Sequence, residues 1–195
     1  MELSEVSPAA ARAAAAVSDP AAMAPTFRAA QLIMISDVRR NFNEGHDPDG
    51  NAWPKLAHPR PDGGDKPLMN RGLLAASVSA RAGDREVILG TNRPGAQLQQ
   101  NGGVIKPVAG KFLAIPLTKE AVRSGGPRKF PQTLHAVVNS ATGKGVLADR
   151  AGTAHFALCK QVTIPPRPFM GFGKRLVDKL AKLFGDFLER LLAGR

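Results

Sequence analysis

The sequence predicts an α+β fold: a small antiparallel sheet, a helix over about 26–42, an amphipathic helix over about 174–192, and long loops between them. Three observations carry that expectation. Apolar residues recur at helical spacing after Thr26, short β-rich runs separated by turn residues follow Leu134, and a broad apolar stripe marks the last helical stretch.

Residues 1–25 are rich in Ala, Ser and Pro. Ala is the best helix former, yet Ala9–Val17 offers almost no apolar face. The stretch reads as a flexible arm, or as a marginal helix that orders only on a partner. Met1–Val17 carries acids early and lacks a continuous apolar core, so no signal peptide is expected, and no segment reaches membrane-spanning length.

Thr26 is the expected N-cap of the first long helix, which runs to about Phe42. Phe27, Ala30, Met34, Ile35, Val38 and Phe42 form its buried stripe, widened by Leu32 and Ile33, and Gly45 and Pro48 end it. Asn43–Gly64 is turn-rich. With one Trp, nine Phe and no Tyr in the chain, Trp53 is the expected anchor of that region. A short helix capped by Asn70 is expected within Leu68–Val78. Strands follow at Ser77–Arg81 and Glu86–Leu89, with a turn at Asn92–Gly95 and a helical turn at Ala96–Gln100.

Beyond Gly103 the character is β. Lys111–Ile115 reads as one strand, and Leu134–Asn139, Gly145–Leu147 and His155–Thr163 as a meander with turns at Ala141–Lys144 and Arg150–Thr153. Thr118–Gln132 is charged and rich in Gly and Pro, so it reads as an exposed loop. In the last helix Leu176, Leu180, Leu183, Phe184, Phe187, Leu188, Leu191 and Leu192 share one face. A helix this apolar packs on its own sheet or on a neighbour.

The net charge is +11. Two classes of explanation are open. One is a polyanion partner, usually nucleic acid. The other is a solvated surface or a partner with acidic faces. The charge is spread along the sequence rather than gathered in one tract, and few aromatics are interleaved with it, which argues against single-strand stacking.

Chemical motifs are weak. Asp47-x-Asp49-Gly50-Asn51 resembles the start of a calcium loop, but the position that should carry the closing acid is His58. A tight turn, with side chains bonding nearby backbone and Trp53 packed beside it, explains the same residues. His46, His58, His135 and His155 lack zinc spacing, and the single Cys159 cannot form a cluster or an internal disulfide, which fits a reducing compartment. His155 and Cys159 stand four apart in an expected strand and so share a face, yet no oxyanion hole or third residue accompanies them. Gly143-Lys144-Gly145 lacks the phosphate-loop spacing. No metal, cofactor or catalytic residue is expected.

Ile164-Pro165-Pro166-Arg167-Pro168-Phe169 is a stiff, extended strap, since each proline fixes φ and restrains the residue before it. Pro166, Arg167, Pro168 and Phe169 are therefore expected to be presented at a protein interface. Arg128 and Lys129, in the expected basic loop, join them as candidates.

Four segments in order carry a resemblance. They are Phe42-Asn43-Glu44-Gly45 to Asp47-Pro48-Asp49-Gly50 with Trp53-Pro54-Lys55-Leu56; Pro67-Leu68-Met69-Asn70-Arg71-Gly72-Leu73-Leu74 with Ser77; Val87-Ile88-Leu89-Gly90-Thr91-Asn92 to Ala96 with Gln99-Gln100-Asn101-Gly102-Gly103; and Pro165-Pro166-Arg167-Pro168-Phe169-Met170-Gly171. Together they resemble the phage virion morphogenesis (tail completion) family of Mu-like and related tailed phages, over about 27–192 with an insertion near 104–160. Where that family has Tyr-Ala and His-Gln-x-Gly elements, this chain has Gly95-Ala96 and Gln99-Gln100-Asn101-Gly102. The resemblance implies an α+β domain over 26–195, helices on a small antiparallel sheet, and a structural, non-enzymatic role at the head–tail junction of the virion after assembly in the host cytoplasm. It implies copies closing into a ring, a hexamer, with neighbouring neck and tail proteins as partners. Non-specific contact with DNA in the channel is a further expectation, and contact with a membrane is not.

Overall fold

A computed structural model describes residues 7–56, 60–61, 64–139 and 141–193. In chain order the elements are α1 (Pro8–Ser18), α2 (Pro20–Glu44), α3 (Leu73–Ser77), β1 (Ser79–Ala82), β2 (Val87–Gly90), α4 (Ala96–Asn101), β3 (Gly103–Ile105) and β4 (Leu113–Pro116). Then come α5 (Lys119–Ser124), a single 3₁₀ turn at Pro127–Lys129, β5 (His135–Val138), β6 (Gly145–Ala148), β7 (Ala154–Cys159), β8 (Val162–Ile164) and α6 (Lys174–Leu192). The fold is α+β with antiparallel sheets, as its sequence predicts. The chain divides into two compact units. The first holds Met1–Trp53, Arg71–Ala96 and Arg167–Arg195; the second holds Pro54–Asn70 and Gln97–Pro166, and so contains the β-rich stretch at 104–160.

In the first unit the N-terminal stretch differs from the expected arm. Ser7 caps α1 by accepting the Ala10 N–H, Pro8 occupies its first turn, and Ala13 is buried. The alanines permit close approach of α1 to α6 and α2, and that packing supplies the stability that so short a helix lacks alone. The next helix starts at Pro20 and not at Thr26. Asp19 accepts the Ala21 N–H at 2.9 Å, and Pro20 needs no N–H partner in the first turn. Pro25 removes one helical hydrogen bond without ending α2, because Met23 and Thr26 on either side are buried. The helix then buries Ala30, Met34, Asp37, Val38, Asn41 and Phe42, and leaves Leu32 exposed. Gly45, with φ 77°, ends it and returns its N–H to the Asn41 carbonyl.

The β1–β2 hairpin lies on α2, and Gln31 ties the two together. Its amide donates to the Ala80 carbonyl at 2.9 Å and accepts the Ala82 N–H at 3.2 Å. The short helix before the hairpin is α3, which follows Gly72 and has no side-chain cap, so Asn70 does not play that part. The apolar stripe of α6 packs on α2 and α1 rather than on a sheet, with Leu176 buried and Phe184 edge-on to Phe27 at 5.6 Å.

The second unit is built on the four-stranded antiparallel sheet β4-β7-β6-β5. One face is covered by α5 and the 3₁₀ turn, around a core of Ala121, Phe130 and Phe156 with Ala114, Leu134 and Leu147. Thr118–Gln132 is thus not a plain exposed loop. Thr118 caps α5 by accepting the Ala121 N–H, Gly125 at φ 70° ends it, and Ala121 is buried. A second ladder, β3–β8, pairs residues 103–105, for which the sequence predicts no strand. It is possible because Gly102 lies so close to the Ile164 carbonyl and the Pro166 nitrogen that an added Cβ would sit within 2.9 Å of both. Among the described residues, no helix is long and apolar enough to cross a membrane.

Candidate assembly surface

The strap is where the structure departs most from its sequence-based expectation. Arg167 is 5% exposed and Phe169 is fully buried, so neither is presented to a partner in this structure. Within the first unit Phe169 packs on Phe42 with ring centroids 5.1 Å apart, and Phe42 meets Trp53 edge-on at 5.6 Å. The Trp53 Nε1–H donates to the Pro168 carbonyl at 2.7 Å, and the Asn41 amide donates to the Phe169 carbonyl at 3.2 Å. The prolines restrict the chain, and the Pro168 and Phe169 carbonyls become acceptors for Trp53 and α2. Their rigidity serves the core. Pro168 is half-buried. Pro166, in the second unit, is exposed, as are Arg128 and Lys129 on the 3₁₀ turn of that unit.

Two of the sequence motifs meet here. The loop after α2 touches the segment after the strap, and Gly173 approaches the Pro48 carbonyl so closely that a Cβ would collide with it. The aspartate turn is structural. One Asp47 oxygen accepts the N–H groups of Asp49 (2.9 Å) and Asn51 (2.8 Å), and the other accepts the Asn51 amide. Burial pushes the Asp47 carboxyl up, but the bonds from the Asn51 side chain and the backbone outweigh it and hold the group low. His46 sits between Glu44 at 2.6 Å and the Asp47 carbonyl, and Glu44 is held low by Arg40 and His46. His58 lies outside the described residues. Among the described residues no group of His, Cys, Asp and Glu is arranged to hold a metal. The second and third motifs meet through the hydrogen bond between the Ser77 and Thr91 hydroxyls, 2.7 Å apart.

Asp37 is almost wholly buried and pairs with Arg175 of α6, whose Nε donates to it at 2.9 Å and whose Nη2 lies 2.7 Å from the same oxygen, while Nη2 also donates to the Asn41 side-chain oxygen at 3.1 Å. No sequence spacing marks this pair, since its members are 138 residues apart. It locks α6 to α2 where the strap enters.

In the second unit, His155 and Cys159 do not share a face. The strand register passes from Leu147–Phe156 to Ala148–Ala154, so His155 is the extra residue of a β-bulge. The bulge turns it toward the same side as Phe156, and both rings meet Phe130, at 4.5 and 5.7 Å. Its ring nitrogens engage Thr118 Oγ1 and Asp149 Oδ2, each at 3.1 Å. Asp149 also accepts the N–H groups of Ala151 and Thr153, closing the β6–β7 turn. The bond from His155 and then those from the backbone hold its carboxyl low. The arrangement joins a helix cap to a turn and leaves Cys159 on the other side of the sheet.

The model of the phage virion morphogenesis family matches residues 1–189. Over 93 residues the chain is 37% identical to the Mu-like prophage FluMu G protein 2 of Haemophilus influenzae, a match covering 48% of this chain and 61% of that protein. The chain therefore spans less than two thirds of that relative. No solved structure matches. With nearly its whole length matched, the chain belongs to the phage virion morphogenesis family.

Proposed function

We propose that this protein completes the phage tail and joins it to the head at the neck, as a non-catalytic subunit of a ring. Family membership over residues 1–189 carries this, because it makes the chain a structural morphogenesis protein of a tailed phage. The ring would be a hexamer in contact with neighbouring neck and tail proteins. A ring needs heterologous contacts whose rotation closes. Exposed apolar residues at Val177, Leu188 and Leu192 of α6 are suited to such contacts. Electron microscopy of a lysate from a phage with a nonsense mutation early in this gene tests the proposal. Filled heads and free tails, unjoined, are expected, and intact infectious virions would overturn it.

The charge favours a second reading, a basic nucleic-acid-binding module. The second unit has twelve Lys and Arg against four Asp and Glu, a net +8 of the chain's +11. Tight duplex binding with a steep salt dependence, together with intact virions in the nonsense lysate, would move this reading forward.

A further inference from the structure

The face of the four-stranded sheet opposite α5 carries no Asp, Glu, Lys or Arg, and at its far end Ala148 is buried beside its exposed partner His135. Antiparallel partners share a face, so the register defines it residue by residue. Ile115, Ala157, Val146 and Val137 are successive partners across all four strands, and Leu113 pairs with Cys159 in the next row. All six are apolar. Val137 is 62% exposed, and the other five are half-buried, whereas Phe156 and Leu158 on the covered face are buried. The sequence of these strands already shows the oddity. Ala136–Val138, Val146–Ala148 and Phe156–Cys159 are apolar at every position, the pattern of strands covered on both faces. Only one face is covered by α5 and the core.

One end of this sheet is basic. Lys111 precedes β4, Lys144 lies in the β5–β6 turn, and Lys160 follows β7, all three exposed. The Lys160 side chain crosses that turn, so close that a Cβ on Gly143 would lie 2.8 Å from its Cε. Among the described residues at this end, 109–112, 139, 141–144 and 160–161, there is no Asp or Glu.

We infer that this sheet face docks another virion protein, at an apolar surface edged by Asp and Glu that meet Lys111, Lys144 and Lys160. The inference rests on the chain being a virion component. An apolar centre with a charged rim is the anatomy of a protein interface. Complementary charge selects the partner. A second copy of this chain would bring together two units of +8, which repel. Duplex DNA is recognised chiefly through its phosphates, and six uncharged apolar side chains give phosphate nothing to bind.

Cys159 is the only cysteine and lies on the face, so it reports its own coverage. Alkylation by a maleimide should be at least tenfold slower in purified virions than in the free protein. Carbodiimide coupling in those virions, read by mass spectrometry, should join Lys111, Lys144 or Lys160 to carboxylates of a different virion protein. Val137→Glu, at an exposed position, should keep the parent melting temperature and lose at least tenfold in incorporation. Equal alkylation in virions containing the protein would overturn the inference and leave the virion role standing, whereas absence of the protein from virions would overturn both. An unreactive Cys159 in the free native protein would show the face already covered and overturn it. Coupling to carboxylates of another copy, coupling to none, or protection of Cys159 by added 30-bp duplex DNA would each overturn it as well.

Discussion

Phe169 has no exposed surface, and its ring lies against Phe42 in the first unit. Its removal is therefore a core truncation. Phe169→Ala should cost about 3–5 kcal/mol, seen as a large fall in melting temperature; an unchanged melt would contradict the burial. The strap Pro165–Pro168 could be read as rigid from its prolines alone, but rigidity does not say which way the side chains point. Burial of Arg167 and Phe169 follows from α2 and Trp53, which sequence alone does not bring near. Arg128→Ala and Lys129→Ala, on an exposed 3₁₀ turn, should by contrast change stability by less than about 0.5 kcal/mol. Asp149 supplies a pH signature. Its folded carboxyl is held below the ordinary value of 3.8 by His155 and by backbone N–H groups. A depressed folded value means that its stabilising contribution is complete above 3.8 and is lost as the pH falls through the lower folded value. Thermal melts should show acid destabilisation that is shallower in Asp149→Asn; identical acid limbs in parent and variant would refute this.

At the scale of elements, α2 and α6 are held by one ion pair as well as by apolar packing. The Asp37 side chain is 2% exposed and Arg175 is 25% exposed, so deleting the guanidinium strands a buried carboxylate. Arg175→Ala should cost about 3–5 kcal/mol, and Asp37→Ala/Arg175→Ala should cost less than the two single changes added together. Denaturant melts of the four proteins measure this coupling, and strict additivity would show that the pair does not act as one. The span of α6 matches its expected bounds because its apolar stripe is strong and Gly173 precedes it. The start of α2 was less legible, since Pro25 looks like a boundary until the burial of Met23 and Thr26 shows the helix running through it. The helix α5 had a signal that charge and glycine content masked: Thr118 three residues before Ala121, Glu120 in the first turn, and Gly125 just past the end. The bulge at His155 had none, because an extra residue in a strand follows from what the neighbouring strand pairs with.

At the scale of the whole molecule, folding sorts what the sequence disperses. Positive charge that is spread along the chain is concentrated in the second unit, while the first, drawn from three separate chain segments, nets only +3. The family was legible because its motifs are contiguous, whereas their roles as packing and turn elements needed the folded chain. The three-segment construction makes the C-terminus essential to the first unit. Ending the chain at Gly173 would remove Leu176, whose burial alone is worth about 1.5–3 kcal/mol. It would also strip the Phe184 contact from Phe27, expose the sides of α1 and α2 that α6 covers, and leave Asp37 buried without Arg175. Against a typical net stability of about 5–15 kcal/mol, these losses exceed what a domain of this size can bear. The truncated chain should be insoluble and should fail to complement a nonsense mutant. If it were monodisperse by sedimentation and restored plaques, α6 would be dispensable to the first unit, and the packing described for it would not be what holds that unit together.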